Sequence, residues 1–544
     1  MRILNKCKIT WLKLVYFTLN IDTNDLYNPM NGALFQLLRN CPQDKYLTLN
    51  PEITFFKNKV NRYANFSILS ITQQFTNPTE WGGSNFVEIS KTGDLVYRMY
   101  LEIDIPEIPG NNKTYIGRWT DKLGLALLEY ISVELNSVEI DRHTGEFLDI
   151  FSQLSIPESR TQGYYSMIGH TDALCGPYAY KRPATTLRIP LQFWFCRDPF
   201  LAFPIRASSH TIMRILTKFR KFSEVWINLN STQNYDTYYD DTSAQDFPID
   251  SRLYIEYIYL DQMNSQRYTQ GKQEYIIEQT QMSLSNTVVP GSPMYEYSLN
   301  FTNPIKCLFW TFQKQSNIES PSESNSFIGN QWTNYSAESY NPEYTLFNNN
   351  PCFKYMPNFY PTLQMTATTV LDVDVLTYNN MSCLDLDPMD TCTFIFDNIE
   401  RFSPQKSEYF NKIQSYQCFE RCPDSTGIYV YSFALKPDRI TPTGAFNFSG
   451  LQDIRIHFTM KDTIVNTKCI WPSVLIGDPN TNLENHPIPS EISPSIWNRY
   501  LFRNAGYYYE TLNDDQTTYN LHIYAMNYNV LKVSRGIASI EFNS

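Results

Sequence analysis

The chain has 544 residues, too many for a single hydrophobic core, so two or more domains are expected. Hydrophobic residues make up 42% and charged residues 18%, which excludes global disorder, and the 15% of aromatics, led by 39 Tyr and 34 Phe, favours pleated sheets. Net charge is −11 from 44 basic and 55 acidic residues, with no basic stripe, so direct coating of nucleic acid is disfavoured.

The N-terminus, MRILNKCKITWLKLVYFTLN, places basic residues ahead of an apolar patch, as a secretion signal does. Lys13 interrupts that patch and no small-residue cleavage site follows, so a flexible arm or a segment upstream of a start at Met30 is the preferred reading. No run of 18 apolar residues suggests a membrane-spanning helix. NGALFQLLRN (31–40) predicts a short helix.

Period-2 alternation follows. In RMYLEIDI, Met99, Leu101, Ile103 and Ile105 share one face and Tyr100, Glu102 and Asp104 the other. In YISVELNS, Ile131, Val133 and Leu135 oppose Ser132, Glu134 and Asn136. TGEFLDIFSQL (144–154) breaks the pattern: Phe147, Phe151 and Leu154 fall on one helical face. LRIPLQFWF (187–195) is apolar on both faces, as an inner strand would be. Leu253, Ile255, Tyr257 and Tyr259 alternate before a polar break at DQMNSQRYTQGK, after which Tyr275, Ile276 and Ile277 start a new strand. A hairpin needs only two to five turn residues, so the break reads as a joint between domains. Residues 314–390 are rich in Ser, Asn and Pro and poor in alternation, a long surface insertion. GIYVYSFAL (427–435), DIRIHFTM (453–460) and YNLHIYAM (519–526) are further strands. In the second of these Ile454, Ile456, Phe458 and Met460 oppose Arg455, His457 and Thr459. Many strands, long connections and rare short helices predict an all-β chain of tandem antiparallel sandwiches of the jelly-roll kind.

Motifs for chemistry are sparse. No glycine-rich pattern for a dinucleotide or phosphate occurs, so no cofactor is expected. Cys418 and Cys422 form a lone C-x3-C without a second pair, and the six His are dispersed, so no metal site is expected and buried free thiols are the simpler reading. A β-sandwich glycosidase would need two carboxylates across a cleft. Glu146 and Asp149, near His143, are the nearest cluster, and a solvated helix face explains their spacing. The nucleophile elbow G-x-S-x-G is absent. Sequons occur at Asn65, Asn112, Asn230, Asn300, Asn334, Asn380 and Asn447. Asn334 and Asn380, in the long insertion, and Asn112 are the candidate glycosylation sites. An adhesive or lectin-like surface module is the other alternative, since it would share the sandwich and the sequons.

Several long segments, in order, resemble the major capsid proteins of the nucleocytoplasmic large DNA viruses. They are NGALFQLLRNCPQDKYLTLNPEITFFKNKVNRYANFS (31–67), IDRHTGEFLDIFSQL, IPLQFWFCRDPFLAFPI, EYIIEQTQ, NPIKCLFW, ERFSPQKSEYFNKIQSYQ, GIYVYSFALKPDRITPTGAFNFS and NVLKVSRGIASIEFNS. Together they cover the chain from about Met30 to Ser544. Gln273 and Asn303 stand where the family has or often has His. Residues 1–29 have no counterpart in the family pattern.

The resemblance implies two tandem eight-stranded antiparallel jelly rolls with a few short helices and long loops, and no enzymatic activity. The implied layout is an extension over 1–29, an arm over 30–50, a first jelly roll over 51–262, a linker over 263–272 and a second jelly roll over 273–544. By the same resemblance 314–390 forms outward towers. Three copies would form a homotrimer of pseudo-hexagonal outline, and such trimers would tile an icosahedral virion shell assembled in the host cytoplasm. Neighbouring capsomers, minor capsid proteins and an internal membrane on the inner face are the implied partners, with no direct nucleic-acid binding.

Overall fold

The computed structural model describes residues 50, 63–108, 117–175, 182–228, 247–283, 286–288, 294–318, 330–336, 387–461 and 518–542. Two compact units divide the chain, Met1–Tyr63 and Ala64–Ser544, and both sandwiches lie in the second.

Among the described residues eight strands build the first sandwich: β1 (Phe66–Gln74), β2 (Ser84–Glu88), β3 (Leu95–Ile105), β4 (Leu128–Leu135), β5 (Val138–Thr144), β6 (Thr185–Pro190), β7 (Met213–Phe219) and β8 (Asp250–Leu260). They pair antiparallel in two four-stranded sheets, ordered β1-β8-β3-β6 and β2-β7-β4-β5. The second sandwich repeats this with β9 (Gln273–Met282), β10 (Tyr295–Ser298), β11 (Pro304–Lys314), β12 (Met389–Phe396), β13 (Ile399–Glu400), β14 (Ile428–Ser432), β15 (Ile454–Met460) and β16 (Tyr519–Ser534). Its main strands run β9-β16-β11-β14 and β10-β15-β12-β13. The two orders coincide when eight is added to every strand number of the first sandwich. Each set is the double-sheet arrangement of a jelly roll.

Alternation places the cores where the sequence predicts them. Met99, Leu101, Ile103 and Ile105 of β3 are buried, as are Ile131, Val133 and Leu135 of β4. In the second core Ile454, Ile456 and Phe458 of β15 pack with Leu308, Trp310 and Phe312 of β11. Trp310 is its centre, with ring centroids 5.1 Å from Phe410, 5.5 Å from Phe394 and 5.8 Å from Tyr429. The Phe410 and Phe394 contacts are edge-on and the Tyr429 contact is stacked, and aromatic pairs of both kinds add to the area they bury.

Helices fill the connections of the first sandwich: α1 (Leu123–Leu127), α2 (Gly145–Ser155), α3 (Glu158–Met167) and α4 (Asp172–Cys175). Thr144 caps α2 by accepting from the Phe147 backbone N–H at 3.2 Å. Gly145 is needed at its first turn, because a Cβ there would stand 2.1 Å from the Leu125 carbonyl oxygen.

Two elements differ from expectation. LRIPLQFWF is not one strand: β6 stops at Pro190 and Trp194–Arg197 is a helical turn. Proline cannot donate to a ladder, which suits the outermost strand of its sheet and ends it. The polar joint is not a bare linker either. Gln262–Gln270 forms α5, begun by Asp261, whose side chain accepts from the Asn264 backbone N–H at 2.8 Å. Nothing apolar in that stretch marks a helix; its cap does. The expected helix at 31–40 lies outside the described residues, as do 1–29 and most of 314–390.

Candidate functional site: the seam between the two sandwiches

Buried charged and polar side chains gather where the two jelly rolls meet. Helix α2 of the first sandwich is buried along its whole length to Leu154. Its Phe147, Ile150, Phe151 and Leu154 pack on Cys307 and Phe309 of β11, Ile428 and Val430 of β14, and Tyr524 and Met526 of β16. Those side chains point away from the second core, so sheet β9-β16-β11-β14 is apolar on both faces. That explains the uninterrupted apolar run over 307–310.

Ion pairs are set into this apolar contact. Glu278 of β9 accepts from Lys306 of β11 and from Arg197 of the first sandwich, and all three are at least nine-tenths buried. Arg197 also donates to the Asp438 carbonyl at 2.7 Å and lies over the Phe151 ring at 4.9 Å. Burial pulls the Lys306 ammonium below its ordinary pKa, against the pull of the Glu278 carboxylate. The Cys307 thiol beside it is pushed up to about 12 by burial.

Asp149 accepts from Lys122 at 2.5 Å, from Gln153 at 3.0 Å and from the Tyr335 hydroxyl at 3.2 Å. Burial, with Asp149 and Glu146 close by, raises the Tyr335 hydroxyl well above its usual range. Glu146 pairs with Arg220, whose guanidinium also donates to the Ala126 carbonyl at 2.6 Å and stacks 3.7 Å from the Trp332 ring. The expectation of a solvated helix face is thus overturned. Glu146 is 7% and Asp149 0% exposed, because Arg220 and Lys122 of the first sandwich engage them while Tyr335 donates to Asp149 and Trp332 covers Arg220. Each carboxylate is engaged by a buried cation, so the pair does not span an open cleft. His143 joins neither: it stacks on Phe193 and pairs with Asp141 at 3.1 Å.

Residues 330–336 also enter the seam instead of standing out as tower. Asn330 donates to the carbonyls of Ser223 and Trp226 at 2.7 and 3.0 Å, and Trp332 donates to Glu224 at 2.8 Å. Asn334 is 4% exposed, and its Nδ2 donates to Gln331 at 2.9 Å. That nitrogen is the atom a glycan would occupy, so in this fold the sequon forms a buried turn. Asn112 and Asn380 lie outside the described residues. Of the C-x3-C pair, Cys418 is half-buried and Cys422 exposed, while Cys175, Cys196, Cys307 and Cys392 are buried free thiols.

Residues 54–261 match the model of the major capsid protein N-terminus, and residues 265–471 match that of the large eukaryotic DNA virus major capsid protein. The major capsid protein of Phaeocystis pouchetii virus is 30% identical over 493 residues, covering 80% of this chain and 94% of that protein. The chain belongs to the major capsid proteins of large eukaryotic DNA viruses. The major capsid protein of Paramecium bursaria Chlorella virus 1 is 28% identical over 520 residues, covering 94% of this chain and all of the relative. Among solved structures, a quasi-atomic model of the PBCV-1 virus capsid has a TM-score of 0.59 at 21% identity, covering 90% of this chain and 100% of that one. The Faustovirus major capsid protein has a TM-score of 0.58 at 12% identity, covering 94% and 99%. These likenesses establish the double jelly-roll fold. Members of the capsid protein family are structural proteins, and this chain is not an enzyme.

Proposed function

We propose that this capsid protein works as a homotrimer of pseudo-hexagonal outline, and that such trimers tile an icosahedral shell. The observation that supports this is the strand-for-strand correspondence of the two sandwiches within one compact unit. Three copies of a chain with two equivalent modules offer six near-equivalent corners, which fill a plane with one gene product under closed cyclic symmetry. The buried seam suits this role, because a tile transmits load only if its two halves move together. Lateral contacts should exceed the ~2,000 Å² at the lower edge of permanent interfaces. Phe66 and Ile68, about half-exposed on the outer face of β1, are apolar surface available for such a contact.

The virion is then the site of action, with assembly in the host cytoplasm. Minor capsid proteins and an internal membrane are the partners on the inner face. The net charge of −11 argues against bare nucleic acid as a partner. Mass measurement in solution tests the reading: a particle of three 63.6 kDa chains is expected. A stable monomer at micromolar concentration would count decisively against it. Electron microscopy of assembled particles should then show six-cornered capsomers.

A further inference from the structure

Three connections of the first sandwich end at one point. Asp121 follows the short strand Gly117–Trp119, His170 follows α3, and Cys175 closes α4. One ligand atom from each lies within 4.8 Å of the others. The chain is built to keep them there. Gly169, at φ +80°, turns the backbone out of α3, and a Cβ on it would come 2.6 Å from Leu187. The His170 backbone N–H then donates to the Tyr165 carbonyl at 2.9 Å, and its ring stands edge-on to the Tyr165 ring at 5.0 Å. Arg118, 2% exposed, donates through one nitrogen to Asp121 Oδ1 at 3.0 Å and to the Cys175 carbonyl at 2.9 Å. One buried guanidinium thus holds the Asp121 carboxylate through Oδ1 and the backbone at Cys175. Supporting groups of this kind hold the ligands of metal sites in place.

An independent observation points to a ligand: His170 Nδ1 is buried and has no hydrogen-bond partner. A buried ring nitrogen without a partner carries an uncompensated desolvation cost. The Asp121 side chain is 30% exposed, so the cluster is open to solvent on that side.

We propose that Asp121, His170 and Cys175 bind one divalent transition-metal ion, with zinc the best match to the donors and water completing four-coordination. Carboxylate, imidazole and thiolate are zinc ligands at about 2.0–2.3 Å, so the donors need to close by only about an ångström. The thiolate and imidazole select against calcium and magnesium, which take oxygen. On binding, the Cys175 Sγ–H bond breaks, an Sγ–metal bond forms and the proton leaves to solvent. The carbonyls of Thr120 and Gly169, each 3.3 Å from Sγ and competing for its single proton, lose that donor. The ion staples the chain after strand Gly117–Trp119, the end of α3 and α4 to one another, inside the first sandwich alone.

The full-length protein, stripped with a chelator and titrated with Co²⁺, tests this. One ion per chain and a thiolate-to-cobalt charge-transfer band are expected, with about one proton released per ion. Cys175→Ser should abolish the band, His170→Gln should weaken binding at least ~10-fold, and Cys196→Ser, at a buried thiol outside the cluster, should change neither. Zinc in excess should raise the unfolding temperature of the native protein and not that of Cys175→Ser. If Cys175→Ser does not fold, His170→Gln decides, because its Nδ1 supports no hydrogen bond in the fold. Absence of a stoichiometric ion, or a band that survives Cys175→Ser or binding unchanged in His170→Gln, overturns the site.

Discussion

Sheet β1-β8-β3-β6 of the first sandwich and sheet β9-β16-β11-β14 of the second share one strand order, yet their outer faces carry opposite chemistry. On the first, Arg252 sits between Glu102 at 2.8 Å and Asp104 at 2.9 Å, and Tyr100 donates to Glu256 at 2.7 Å. On the second, the corresponding face is Cys307, Phe309, Val430, Tyr524 and Met526, roofed by α2. A shared topology therefore does not prescribe a shared environment. One sheet ends in a charged ladder, while the other borrows a helix from its neighbour and becomes an interior. Of the buried ion pairs near it, Arg197–Glu278 ties the two sandwiches together, whereas Glu146–Arg220 and Asp149–Lys122 anchor α2 to other elements of the first sandwich. Such pairs add little net stability over apolar packing but penalise a wrong register heavily.

The comparison can be broken most sharply at Glu278. Glu278→Ala should leave Lys306 and Arg197 buried without a counter-charge and cost about 3–5 kcal/mol, read as a drop in the urea midpoint. A loss no larger than that of an exposed ion pair would mean that water reaches the seam. Phe309→Ala should cost about 3–5 kcal/mol, whereas Ile68→Ala on the outer face of β1 should change chain stability by at most ~0.5 kcal/mol. Equal losses at the two positions would erase the distinction drawn between the faces. Asp261→Ala removes only the cap of α5 and should cost about 1 kcal/mol; a loss near that of Glu278→Ala would make the joint, not the seam, the main coupling.

The smallest effect sharpens the contrast through pH. His522 lies opposite Thr311 on the seam side of β16, and neither ring nitrogen has a hydrogen-bond partner. Burial holds its pKa below the usual value, with Arg220 pushing the same way and Glu146 opposing. Because the folded pKa is lowered, the unfolded chain takes up the proton first. Stability is therefore unaffected by this group above about pH 6.5 and is lost as pH falls towards the folded pKa. His522→Gln should remove part of that acid loss, measured as urea midpoints on either side of the step. An unchanged pH profile would mean that this imidazole titrates normally.

Local pattern was enough for the strands with clean alternation, such as β3, β4 and β15, for their core-facing residues and for helix α2, because alternation of apolar and polar side chains is a property of the chain alone; it failed at LRIPLQFWF, where Pro190 ends the strand. The likeness to capsid proteins was equally legible, carried by long segments in order. Tertiary structure decided the rest. Glu146 and Asp149 read as solvated because their i, i+3 spacing cannot reveal that Arg220 and Lys122 engage them out of water. Asn334 satisfies a sequon in sequence and is enclosed in space. Asp121, His170 and Cys175 share no motif spacing, and only the meeting of three connections makes them neighbours. A side chain's partners depend on which distant element covers it, and a charge buried by a neighbour obeys different energetics from the same charge in water.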